Sequence, residues 1–73
     1  MARVLHLMKG EHTTEALAVI AAQVAAGDQV TVALLEAAAP PLPASVTIQR
    51  VPAELPYDRL VELVFASDHV VTW

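Results

Sequence analysis

Three histidines, His6, His12 and His69, are the residues of this chain best suited to proton transfer or metal binding. An imidazole titrates near neutral pH, binds transition metals and can lower the pKa of a neighbouring thiol. The spacing of the three matches no metal-binding motif, so we expect no metal centre. For His6 two interpretations stay open: a contact with the cysteine of a partner protein, or a hydrogen bond to a backbone carbonyl at a strand end.

The other candidate nucleophiles and acids show no catalytic arrangement. The chain contains no cysteine, which excludes a disulfide and a thiolate nucleophile. Its two serines lack the flanking glycines of a Gly-x-Ser-x-Gly elbow: Ser45 and Ser67. Two carboxylate pairs fall at the spacing of solvated helix faces: Glu11 with Glu15, and Asp58 with Glu62. We therefore expect no enzyme activity and no bound cofactor in this chain.

A loop at residues 9–14 is the one candidate anion site. Gly10 permits a turn, and Thr13 and Thr14 are typical helix caps. Backbone amides at a helix N-terminus can hold a phosphate, although every capped helix presents such amides. An alternative function is therefore a small phosphate- or nucleotide-binding module that uses the Gly10–Thr14 loop.

Charge and hydropathy narrow the function classes. The net charge is −4 with only four Lys and Arg residues, which argues against direct nucleic-acid binding. No apolar run reaches the roughly 18–20 residues of a membrane span, and no signal peptide is evident. We expect a cytoplasmic protein.

The composition also predicts association. Of the 73 residues, 56% are hydrophobic and 16% are charged, against about 45–50% and about 25% in typical domains. A chain this short forms one domain, and it buries only about 60% of its unfolded surface. We therefore expect residues 1–73 to form one domain that is stabilised in an oligomer, either with other subunits or by self-association.

A strand, a helix and a strand are predicted at residues 3–8, 15–26 and 29–36. The helix has an apolar stripe at i, i+3, i+4 and i+7, and Gly27 follows as a left-handed C-cap. The stripe residues are Leu17, Ile20, Ala21 and Val24. Such a unit pairs its strands in parallel with a right-handed crossover.

Prolines at residues 37–45 predict a stiff crossover to a third strand at 46–51. A second helix begins at 57 or 58, and a fourth strand spans 70–73. These elements predict an α/β fold, a small three-layer Rossmann-like sandwich with a mostly parallel four-stranded sheet. The strand order and the direction of the third strand are left open.

The closing residues contain an aromatic and aliphatic surplus. The second helix has an apolar stripe of Leu60, Val61, Val64 and Phe65. Leaving a tryptophan or valine side chain in water loses roughly 1.5–3 kcal/mol of the free energy that its burial would contribute. We therefore expect the last strand to pair with the sheet or with a partner. Tryptophan anchors many interfaces, and we predict a partner interface that includes four residues: His6, Phe65, His69 and Trp73.

Four segments follow one another along the chain: VLHL at 4–7, GDQVTVALLE at 27–36, YDRLVELV at 57–64 and DHVVTW at 68–73. Together they resemble the DsrE/DsrF/DsrH superfamily of sulfur-relay proteins, and its small DsrH (TusB-like) subunit in particular. Two departures are the shortened proline crossover, where the family has another helix, and the lack of a cysteine that some members place in the first helix.

The resemblance implies a three-layer α/β fold and a heteromeric complex with DsrE-like and DsrF-like partners. Such complexes pass persulfide sulfur onward, towards 2-thiouridine in tRNA or within sulfur oxidation. A cysteine of a partner carries the sulfur. Because this chain has none, the resemblance implies an accessory subunit without catalytic residues.

Overall fold

A computed structural model describes residues 1–35 and 40–73. Its elements are β1 (Arg3–Met8), α1 (Thr13–Ala25), β2 (Gln29–Leu35), β3 (Thr47–Val51), α2 (Tyr57–Ala66) and β4 (His69–Thr72). The four strands form one sheet in the order β3-β2-β1-β4, and every neighbouring pair is parallel. The α/β prediction is confirmed, and the direction of the third strand is now fixed as parallel to β2.

One face of the sheet, here the α1 face, packs against α1. Met8, Val32 and Leu34 on the strands contact Ala16 and Ile20 on the helix, and all five are buried. The predicted stripe is displaced, because Ala21 is exposed and Ala16 takes the buried position. Alanine occupies most faces of this helix, so the sequence does not distinguish the inner alanine from the outer ones.

The opposite face, here the α2 face, packs against α2. Leu5, Ala33 and Val51 form its buried centre, and Leu63 and Val64 of α2 are among the half-buried residues packed against it. The predicted apolar stripe of this helix is wrong for Val61 and Phe65, which are exposed. Leu63 takes the core position instead, because the helix is turned so that Leu60, Leu63 and Val64 face the sheet.

The turns confirm part of the predicted boundaries. Gly27 has a φ of 87° and its N–H donates to the carbonyl of Val24, as expected of a left-handed residue after a helix. α1 begins two residues earlier than predicted, at Thr13. Glu36 and part of the predicted crossover, residues 37–39, lie outside the described residues, and residues 40–46 form no helix or strand.

Two aspartates align β1 with its neighbours. Asp28 Oδ1 accepts a hydrogen bond from the Ala2 amide at 3.1 Å, and Asp68 Oδ2 accepts one from the Arg3 amide at 2.8 Å. Each aspartate directly precedes a strand that flanks β1: Asp28 precedes β2 and Asp68 precedes β4. Within the described residues, neither helix has the length and apolarity needed to cross a membrane.

Candidate functional site

A chain of three side chains joins α1, β1 and the residue after β4. His6 is fully buried, and its Nε2 lies 2.6 Å from Gln23 Oε1. Its Nδ1 lies 2.9 Å from Trp73 Nε1. An indole nitrogen only donates, so Nδ1 of His6 accepts, and its Nε2 carries the proton and donates to Gln23.

The positions of these three residues follow from the elements that carry them. His6 lies at the middle of β1 on the α1 face, and Gln23 lies in the last turns of α1. The Trp73 amide donates to the Leu7 carbonyl at 3.0 Å, which extends the β1–β4 ladder and brings the indole over His6. The two rings stack with centroids 6.1 Å apart and an interplanar angle of 11°.

This arrangement corrects the expectation for His6. Both ring nitrogens are hydrogen-bonded to side chains and not to a backbone carbonyl, and the ring has no exposed surface. It holds Trp73 in place and is not available for proton transfer. The expectation that Trp73 is tied to the sheet is confirmed, since the indole is half-buried against the α1-face core.

A cleft of about 270 Å³ opens at the carboxyl edge of the sheet. Its lining is mainly apolar: Leu7, Lys9, Leu35, Thr72 and Trp73. The chain proceeds from β1 to β2 and β3 on one side, whereas β4 lies on the other side of β1. Ligands of open α/β sheets bind at such a reversal, so this cleft is where a small molecule would fit.

The Gly10–Thr14 loop lies at the same edge, after β1. Gly10 has a φ of 90° and His12 a φ of 55°. The threonines are the first helical residues and not caps, and His12, which takes the cap position, makes no side-chain cap bond. The first-turn amides are therefore without a side-chain cap, although Glu15 in that turn opposes an anion.

An exposed apolar stripe follows one flank of α2. Tyr57, Val61 and Phe65 are spaced four residues apart and are 62%, 54% and 85% exposed. The other flank, with Arg59, borders a groove of about 390 Å³ over β2 and β3. The stripe therefore faces the β1–β4 side of the sheet.

Val70 of β4, which is 39% exposed, continues this apolar region on the sheet. It lies on the α2 face, because it pairs with Leu5 of β1. We call Tyr57, Val61, Phe65 and Val70 the α2–β4 surface. Phe65, one of the four residues of the predicted partner interface, lies on this surface, and Val61 was not among those four.

The other candidates do not converge. His69 is exposed at the start of β4, at the amino edge of the sheet, whereas His12 lies at the carboxyl edge. Across residues 1–35 and 40–73, no group of three His, Asp or Glu residues is arranged to hold a metal. Glu62 pairs with Arg59 at 3.3 Å on an exposed face, as expected of a solvated helix.

Gln23 is the functional side chain that the sequence reasoning missed. It lies seven residues after Ala16 and three after Ile20, which places it on the buried side of α1. A single side-chain amide on an otherwise apolar inner face requires a buried hydrogen-bond partner. The position of Gln23 in the helical repeat could therefore have indicated a buried polar contact.

No protein-family model, curated protein or solved structure matches this chain.

Proposed function

We propose that this chain is a non-catalytic accessory subunit of a cytoplasmic sulfur-relay complex of the DsrE/DsrF/DsrH type. The observation that carries the proposal is the α2–β4 surface, where three large apolar side chains of one helix flank are more than half exposed. Contiguous exposed apolar patches on small proteins are commonly interaction sites. The parallel α/β sheet is compatible with the fold that the resemblance implies.

The residue chemistry supports an accessory role. Persulfide transfer requires a thiolate, and this chain has no cysteine. His6, the one buried imidazole, has both nitrogens engaged by Gln23 and Trp73. The chain therefore supports the assembly, and DsrE-like and DsrF-like partners carry the sulfur.

Co-expression tests this proposal. The chain is expressed with DsrE-like and DsrF-like proteins of the same genome, and we expect all three to elute together from a sizing column. Substituting Val61→Lys together with Phe65→Lys places two charges on the α2–β4 surface and should lower the mass of the assembly. Ala22→Lys, on the exposed side of α1, is the matched control and should leave the mass unchanged. Elution of the wild-type chain apart from both partners would contradict the proposal.

A second candidate function is phosphate or nucleotide binding at the carboxyl edge. It is favoured by the helix start at Thr13, which has no side-chain cap, and by the neighbouring cleft of about 270 Å³. Thermal unfolding with inorganic phosphate, nucleotides and sugar phosphates separates the two functions. The relay subunit should show no shift in melting temperature, whereas the binding module should be stabilised by its ligand.

A further inference from the structure

We infer that the open edge of β4 pairs antiparallel with β4 of a second copy of this chain, so that two sheets join into one of eight strands. The inference deepens the proposed function by naming the occupant of the α2–β4 surface. It rests on the backbone of β4, on the side chains of β4 and α2, and on the charge of this edge.

The backbone of β4 leaves two residues free to pair. The Trp73 amide donates to Leu7, and β1 and β4 pair in parallel with Leu7 opposite Thr72. In a parallel ladder, alternate residues direct both backbone groups to the same neighbour. Val71 and Trp73 therefore face β1, and Val70 and Thr72 direct their N–H and C=O groups to the open edge.

This pattern is self-complementary. A two-fold axis through Val71 places Val70 of each copy opposite Thr72 of the other, as hydrogen-bonded pairs that exchange four bonds in total. Val71 then faces its own symmetry mate as a non-hydrogen-bonded pair. On the α1 face of the sheet His69 lies opposite Trp73, so no like charges meet.

The stripe on α2 has the same symmetry. An axis perpendicular to the sheet keeps both copies of α2 on one face and antiparallel to each other. Val61 is the middle of the stripe, so Tyr57 of each helix lies toward Phe65 of the other. One axis thus suits both the strand and the helix, which is the property of a surface that pairs with its own copy.

Charge distinguishes this edge from the other one. Edge strands of stable monomers are commonly protected by charges, prolines or a covering element. β3 carries Arg50, paired with Glu54, and is followed directly by Pro52. β4 spans His69–Thr72 without a lysine, arginine, carboxylate or proline. The strand itself therefore places no lysine, arginine or carboxylate side chain on the paired edge, and the nearest carboxylate, Asp68, precedes the strand and accepts a hydrogen bond from the Arg3 amide.

The exposed surface of α2 and β4 is large enough for a stable dimer interface. A stable dimer buries about 800 Å² on each partner, roughly a fifth of the 4479 Å² that this chain exposes. An aromatic side chain presents about 150–250 Å², so Tyr57 and Phe65, at 62% and 85% exposure, offer about 300 Å² together. The backbone and side chains of the β4 edge supply the rest.

A single-cysteine variant tests the register directly, because the native chain has no cysteine. Val71→Cys places two thiols on the symmetry axis, where non-hydrogen-bonded pairs have Cα atoms about 4.5 Å apart, within the range of a disulfide. We expect mild oxidation to convert most of this variant into a covalent dimer. Val19→Cys, exposed on α1, is the control and should stay largely uncrosslinked.

Light scattering of the purified chain gives the second readout. We expect twice the mass of one chain for the wild type, and one chain mass for Val70→Pro, which removes an outward N–H and spares the ladder to β1. A monomeric wild-type chain, or a Val71→Cys variant that does not crosslink, would overturn the inference. If the chain is monomeric alone yet elutes with DsrE-like and DsrF-like partners, the inference fails and the proposed function stands. If the chain forms a homodimer but elutes with neither partner, the inference stands and the proposed function fails.

Discussion

At the scale of single residues, the fold depends on a buried hydrogen-bonded imidazole. His6 connects Gln23 of α1 with Trp73 beyond β4, through contacts of 2.6 and 2.9 Å. The described residues contain no buried side-chain nitrogen or oxygen without a partner. Removing one member of such a set leaves another buried polar atom unpaired, which costs more than the bond itself contributes.

Trp73→Phe tests this contact. Phenylalanine keeps the aromatic packing but lacks the N–H that His6 Nδ1 accepts. We expect the free energy of unfolding to fall by about 1–3 kcal/mol, measured by urea denaturation at a fixed protein concentration. Thr14→Ser, at an exposed position of α1, is the control and should change stability by less than about 0.5 kcal/mol. A Trp73→Phe chain as stable as the wild type would show that the hydrogen bond contributes little.

At the scale of elements, the turn between α1 and β2 depends on one backbone conformation. Gly27 has a φ of 87°, and a Cβ placed there would meet no atom within 4 Å. The cost of substitution is therefore conformational and not steric. Because no steric clash adds to the conformational cost, two substitutions of Gly27 can be compared directly.

Gly27→Ala should lower the free energy of unfolding by about 1–2 kcal/mol, because a left-handed alanine is strained. Gly27→Asn should cost less, since asparagine tolerates this region. Chemical denaturation of both variants measures the difference. An equal loss of unfolding free energy for the alanine and asparagine variants would contradict a left-handed backbone conformation at residue 27.

The sequence predicts these elements unevenly, for reasons that particular residues show. β1 and Gly27 are predictable because the apolar run and the glycine act locally. The inner face of α1 is not, because alanines surround it, and its rotation is fixed by the packing of Ala16 and Ile20 on the sheet and by the bond from Gln23 to His6. On α2, Leu63 and Phe65 are both large and apolar, and only the packing on Leu5 and Ala33 identifies the buried one.

The candidate site is less predictable than the fold. His6 and Trp73 are 67 positions apart in sequence, so their contact depends on the strand order, which the sequence left open. The proline-containing segment before β3 has no predicted helix, and a helix between two strands is the signal that predicts parallel pairing. The exposed stripe on α2 follows only once the rotation of that helix is known.

At the scale of the whole molecule, the two faces of the sheet have different roles. On the α1 face, His6, Gln23 and Trp73 fix the last strand to the body of the chain. On the α2 face, the α2–β4 surface stays exposed. Under the proposed function, the α2–β4 surface is where this chain would meet another subunit, and the contacts of Trp73 hold β4 beside that surface.

Reconstituted sulfur transfer tests the central claim most directly. Labelled persulfide sulfur is supplied to DsrE-like and DsrF-like partners with and without this chain, and its transfer to an acceptor thiol is followed. We predict faster transfer when the chain is present, with label on a partner's cysteine and none on this chain. An unchanged transfer rate when the chain is omitted would contradict its role as a subunit of the relay.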